Sequence, residues 1–177
     1  MQIIFALFFA LLLFWISLNL LSYLINHSGR GLDFEKGVVP ETKPDGFYKG
    51  ISFILGITNL PWRGVVFEAS QSKGINLFTE NGFKLIRKLT PKYNHFSQDN
   101  QDYKAYYFDT YTGTSIAGNN QCIKLDYSNP ENPWLLRIIL NEIVEVSPGE
   151  YLGKVHLKIL GRYITIGYFS LKKFPTA

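Results

Sequence analysis

With 177 residues, 46% of them hydrophobic and 16% aromatic, the chain carries enough apolar material for one domain with a genuine core once its first 25 residues are set aside. All 18 Lys+Arg and 14 Asp+Glu follow that segment, and their scattered excess of four positive charges, with no RNA- or DNA-binding motif, favours a plain solvated surface over a dedicated lipid or nucleic-acid patch. A single cysteine, Cys122, excludes an intramolecular disulfide.

Chain order begins with an uncharged run from Ile3 to Ile25, broken only by Ser17, Asn19 and Ser22 among its polar side chains. At the helical rise this run covers about 34 Å, enough for a hydrocarbon core of about 30 Å. It has no Lys/Arg n-region and no small-x-small cleavage motif before Asn26, which favours an uncleaved anchor (residues 1–25) over a signal peptide. Arg30, Lys36 and Lys43 follow it, so the positive-inside rule favours a single-pass protein with a cytoplasmic C-terminal domain, a periplasmic or lumenal domain being the alternative. Residues 26–44, with Gly29, Gly31, Gly37, Pro40 and Pro44, read as a spacer.

Residues 45–177 show the period of strands, with segments at 64–69, 74–79, 83–89, 103–109, 121–127, 141–146, 151–159 and 163–172. In 151–159 the side chains of Tyr151, Gly153, Val155, Leu157 and Ile159 share one face, and Lys154, His156 and Lys158 the other. Ser147-Pro148-Gly149-Glu150 suits a type II turn, and Gly161-Arg162 a tight hairpin. Only 130–140, with Pro133 near its start, reads as a helix. The fold class is therefore all-β: an antiparallel barrel of about eight strands with one short helix, preferred to a sandwich because closure removes exposed edges.

The stretch Pro61-Trp62-Arg63-Gly64-Val65-Val66-Phe67, followed by Gly74-Ile75-Asn76-Leu77-Phe78, resembles the Trp-x-Gly opening strand and next hairpin of calycin-type, lipocalin-like barrels. Leu125-Asp126-Tyr127 with Asn129-Pro130, then residues 141–146 and 148–154, is similar to a family of small bacterial proteins with the same order of elements. The resemblance spans about residues 44–172 and implies a lipocalin-like barrel and, for the anchor, a bacterial inner membrane, with no activity attached to it. Asn141 stands where an Asp is expected before Glu142. Trp62 is expected to close one end of the barrel, Arg63 to reach an acid at the rim, and Gly64 to allow close backbone approach.

Catalytic patterns are sparse. No Gly-x-Ser-x-Gly elbow or phosphate loop occurs, Cys122 reads as a structural thiol, and His27, His95 and His156 are too far apart for a metal site and read as surface residues. Nothing in the pattern calls for a metal or a cofactor. Asp126 and Glu142 are the candidate catalytic carboxylates, since an acid forced toward an apolar interior can act as a general acid or base; the plainer expectation pairs them with Arg63 or Arg137. Eleven Tyr and fourteen Phe suit a cavity that holds an apolar molecule and orients it through a few hydroxyls. The expected inward-facing ligand wall is Phe67, Leu77, Tyr107, Tyr127, Glu142, Val155 and Tyr168. The leading expectation is a membrane-anchored binding or carrier module for a lipid-like molecule, its partners being the bilayer and that apolar ligand. The alternatives are an accessory subunit that packs on other membrane proteins through Ser17, Asn19 and Ser22, and a small enzyme acting on a lipid-like substrate.

Overall fold

The computed structural model describes residues 2–58, 60–99 and 102–174. The uncharged run forms α1 (Gln2–Asn26), long and apolar enough to cross a membrane and exposed on every side from Ile3 to Phe14. Residues expected as a spacer contain instead a second helix, α2 (Gly29–Lys36), started by Ser28, whose hydroxyl accepts from the Gly31 amide at 3.3 Å. Phe34 of α2 is fully buried, and Val38 then bridges to Glu145, so this stretch is a strap laid on the domain. Low hydrophobicity hid it, because only one large side chain per two turns anchors the helix.

Ten strands follow: β1 (Gly46–Ile54), β2 (Ile57–Thr58), β3 (Trp62–Glu68), β4 (Lys73–Phe78), β5 (Ser97–Asp99), β6 (Asp102–Thr114), β7 (Gln121–Asp126), β8 (Ile139–Ser147), β9 (Glu150–Ile159) and β10 (Arg162–Lys173). Eight of them close an antiparallel barrel in the order β1-β3-β4-β6-β7-β8-β9-β10, with β10 returning to β1 from Tyr48 opposite Lys173 to Ile54 opposite Gly167. The short β2 folds back to pair antiparallel with β1, and β5 pairs antiparallel with β6.

Two expected elements change type. Residues 83–89 belong to a helix, α3 (Glu80–Leu89), in which the Thr79 hydroxyl accepts from the Gly82 amide and Glu80 opens the first turn. Phe83, Leu85 and Leu89 fit a period of two, while Phe83 and Ile86 with Thr90 fit a helical stripe, and so short a window carries both patterns. The tertiary contacts decide for the stripe: Phe83 stacks on Tyr103 at 4.4 Å between ring centres, and Ile86 enters the core. The expected helix at 130–140 is a series of turns held by Asn132, whose buried amide donates to the Tyr107 carbonyl at 2.6 Å and the Tyr127 carbonyl at 3.0 Å.

Two hairpins are near twins. Leu55-Gly56 joins β1 to β2 and Leu160-Gly161 joins β9 to β10, with φ of 50° and 78°, and 49° and 80°. Both central residues are left-handed, as a type I′ turn requires, and the second turn sits one residue before the expected Gly161-Arg162. Leucine in this region costs about 1–2 kcal/mol, a cost that Asn or Gly would avoid. At the other end Gly149, φ 74°, fills the expected type II turn.

The interior is packed by rings that meet edge-on, Tyr48 with Phe67 at 5.4 Å and Phe67 with Phe108 at 5.6 Å. Glycines make room for them: a Cβ at Gly74 would lie 2.3 Å from the Phe108 ring, and one at Gly153 2.2 Å from Phe169. Gly64 combines φ of 138° with a Cβ position 2.0 Å from the Tyr48 carbonyl oxygen, so here β1 and β3 approach as only glycine permits. Gly64→Ala is expected to lower the unfolding midpoint of the detergent-solubilised chain by at least about 2 °C, corresponding to strain of about 1–3 kcal/mol, as followed by far-UV circular dichroism.

Candidate functional site

One end of the barrel is open to a cavity of about 290 Å³. Its wall is built at the strand ends: Ser52 and Ile54 of β1, Trp62 of β3, Asn76 and Phe78 of β4, Tyr106 of β6, Ile139 and Asn141 of β8, Val155 of β9 and Phe169 of β10. Leu85 and Ile86 of α3, with Pro61 and Leu136, complete the mouth. Trp62 lies against Gly50, where a Cβ would be 2.3 Å from the ring, and meets Phe169 edge-on at 5.7 Å. Its indole NH donates to Asn76 Oδ1 at 3.0 Å; the Asn76 amide donates to the Tyr106 carbonyl at 2.9 Å and to the Tyr127 hydroxyl at 3.0 Å. Burial pushes the Tyr127 phenol far above its ordinary range, so it is neutral. Asn141 Oδ1 is buried on the same wall with no hydrogen-bond donor. The site is thus an apolar sleeve with a small polar floor.

Of the seven residues expected to face inward, the fold brings Tyr127 and Val155 to the cavity wall, while Phe67 lies in the ring core without lining the cavity. The other four point the wrong way. Leu77 and Tyr107 lie on the opposite faces of their strands from Asn76 and Tyr106, which take the inward positions; Tyr106 is the extra residue of a bulge, with φ of 62°. Tyr168 is on the outer face of β10, where its hydroxyl donates to the Ile25 carbonyl at 2.7 Å. Glu142 is on the outer face of β8, and its neighbour Asn141 takes the interior position. Trp62, expected at one end of the barrel, lines the cavity there. Asn76 and Asn141 are the polar groups that the sequence reading misses, and a lone Asn inside the apolar run Ile75–Phe78 is the signal for the first of them. Arg63 leaves the barrel to form an ion pair with Asp102, and Asp126 accepts from the Ser128 amide at 2.8 Å on the outside.

Glu142 stands at the centre of a polar cluster beneath the helical strap. It is fully buried, ion-paired with Lys124, and accepts from the Ser115 hydroxyl and the Ile116 amide, both at 2.7 Å. His156, read as a surface residue, is fully buried with Nε2 3.2 Å from Glu142 Oε2 and Nδ1 3.1 Å from the Thr165 hydroxyl. The chain of contacts runs on into α1, since the Asn26 amide donates to the Thr165 hydroxyl at 2.8 Å and Ser22 accepts from the Thr165 amide at 3.0 Å. Lys154, also fully buried, donates to Glu35 of α2 at 3.0 Å and lies 4.4 Å from the centre of the Phe34 ring. The cluster therefore fastens both helices to the barrel. Cys122 is packed with Phe34 and Val144 next to it, and burial pushes its thiol up to about 12, which makes it unreactive.

Burial opposes ionisation of Glu142, but His156, Lys124 and Ser115 outweigh it and hold the carboxyl at about 2. Neither this carboxylate nor Asp126 is among the residues lining the cavity, so neither can serve chemistry there. Comparison with protein-family models, curated proteins and solved structures gives no match, and the assignment of the site rests on its own geometry.

Because the folded-state value lies below the ordinary 4.5, the stabilisation from Glu142 is complete above about pH 4.5 and is lost as the pH falls toward 2. Thermal unfolding between pH 7 and 2 should show that acid loss. In Glu142→Gln it should be much reduced, on top of a neutral-pH destabilisation of about 3–5 kcal/mol from the buried lysine left without its partner.

Proposed function

We propose that the chain is a membrane-anchored module that binds a lipid-like small molecule inside its barrel, in the manner of lipocalin-like proteins. The observation that carries this reading is the cavity of about 290 Å³, since it comes close to the lower bound of the about 300–1,000 Å³ typical of small-molecule sites and has the usual mix of apolar wall and few polar groups. A single acyl or isoprenoid chain, or one ring of quinone size, suits it better than a bulky ligand. The unpartnered Asn141 oxygen would accept from a hydroxyl or protonated carboxyl at the ligand's head. The anchor supports the reading as well, because a tethered barrel meets its apolar ligand at the bilayer rather than in water. The positive charges that follow α1 favour a barrel on the cytoplasmic side of that bilayer, and the resemblance to small bacterial proteins makes a bacterial inner membrane the place to look for it.

Full-length protein purified in mild detergent should yield, on solvent extraction and mass spectrometry, one apolar molecule in near-stoichiometric amount. Val155→Phe fills the sleeve at a tolerable cost of about 1–3 kcal/mol and should abolish that yield while the circular dichroism spectrum of the folded chain persists. Equal yields from the two proteins, or an empty wild-type barrel, would reject the binding role. A copurifying membrane protein in place of a ligand would favour the accessory-subunit reading.

A further inference from the structure

The cavity mouth and the free half of α1 are at the same end of the molecule. Along β10, Thr165 meets Ser22 and Asn26, and Tyr168 meets Ile25; the strap then runs to Glu145 near the opposite end, so the residues before Trp15 project past the β9–β10 hairpin. Trp15 and Leu18 still pack against the barrel. If about 20 residues of α1 from Ile3 onward lie in hydrocarbon, the span reaches Ser22. The stretch from Trp15 to Ser22 then lies within the bilayer beside the barrel wall, which puts the barrel's open end about 10 Å below the level of Ser22.

What that end exposes fits such a depth. Leu160 is 87% exposed at the tip of one hairpin and Leu55 56% at the tip of its twin, both in the left-handed backbone that disfavours leucine. Leu89, 66% exposed, and Leu85 face outward from α3, and Trp134 stands 73% exposed on the turns before β8. Arg87 and Lys88 of α3 and Arg162 beside Leu160 provide the basic border that anionic headgroups would meet. The turns at the opposite end, at 69–72, 115–120 and 148–149, carry no Leu, Phe or Trp.

We propose that the open end of the barrel is a membrane-docking surface: its leucine-tipped rim sinks into the leaflet next to α1, so that the mouth of the cavity opens directly to the acyl chains of an anionic phospholipid bilayer. The inference rests on α1 spanning that bilayer and not on the cavity being filled. The ligand enters from the leaflet without crossing water, and the conformational cost of each leucine is the cost of a wedge.

The test is depth measurement by spin-label accessibility on the full chain, reconstituted in vesicles of phosphatidylcholine and phosphatidylglycerol. Labels are carried by Leu160→Cys, Leu89→Cys, Phe8→Cys or Ser147→Cys, with the buried Cys122 left in place. Oxygen should relax the labels at positions 160 and 89 in preference to a water-soluble nickel complex, as it does at position 8, while position 147 should read as aqueous. Replacing both tip leucines, Leu55→Asn with Leu160→Asn, should raise the unfolding temperature in detergent yet move the label at position 89 toward water. Labels at 160 and 89 as water-exposed as 147, with position 8 deep, would overturn docking and leave the anchor standing. Position 8 in water would overturn both. Labels at 160 and 89 shielded from both reagents in the purified chain would show a protein contact instead of lipid and would also overturn the proposal.

Discussion

Everything in this molecule depends on β1 finding β10. The seven-residue pairing between Tyr48 and Ile54 on one strand and Lys173 and Gly167 on the other joins the first and last strands of the domain, and only when it forms does the sheet acquire an inside. Before closure, Phe169 and Trp62 are two aromatic residues on separate hairpins; after it, they stand edge-on across an enclosed floor. The pairing is also the most non-local in the fold, so the loop entropy it must overcome is the largest, and the ring contacts of the interior can offset that entropy only once it is made.

Closure creates an outside as well, and the outer face has an unusual load. Lys124, Glu142, Lys154 and His156 occupy the outward positions of three adjacent strands, where solvent would normally be their partner. Here the strap takes the place of solvent. Ionic groups under a helix are a poor source of stability compared with apolar packing, but they are selective: only one placement of α1 and α2 gives Asn26, Ser22 and Glu35 their partners at once. The barrel thus fixes the angle at which the membrane-length helix leaves it, and with it the orientation of the cavity mouth.

Interior and exterior are coupled through the bulges. The extra residue at Tyr106 turns its side chain into the cavity beneath α3, where its hydroxyl lies 2.7 Å from Thr90 and its amide donates to Tyr93. Irregularity in β10 at Ile166 similarly lets Thr165 face the helices while Phe169 faces the cavity. Each bulge re-aims side chains on both faces of its strand, and both lie next to the functional elements.

How far the sequence reached follows from what period and composition can encode. The uncharged run, the period-two segments and the turn residues are local, and they encode α1, the antiparallel barrel and seven of its eight strands; the segment that forms α3 also carries a strand's period, while β1 has no delimited segment of its own. Along unbroken strands the faces were legible too, as with Lys154 and His156 opposite Val155. Alternation says which side chains share a face, but not which face is inside, and it breaks wherever a bulge adds a residue. That is why Glu142, Tyr107 and Tyr168 were expected on the wall and Asn141, Tyr106 and Phe169 are there instead. Whether charged outward positions meet water or a covering helix depends on residues more than 100 positions away, such as Glu35 against Lys154. Burial by a distant segment leaves no mark on the local pattern, so only the tertiary structure could decide it.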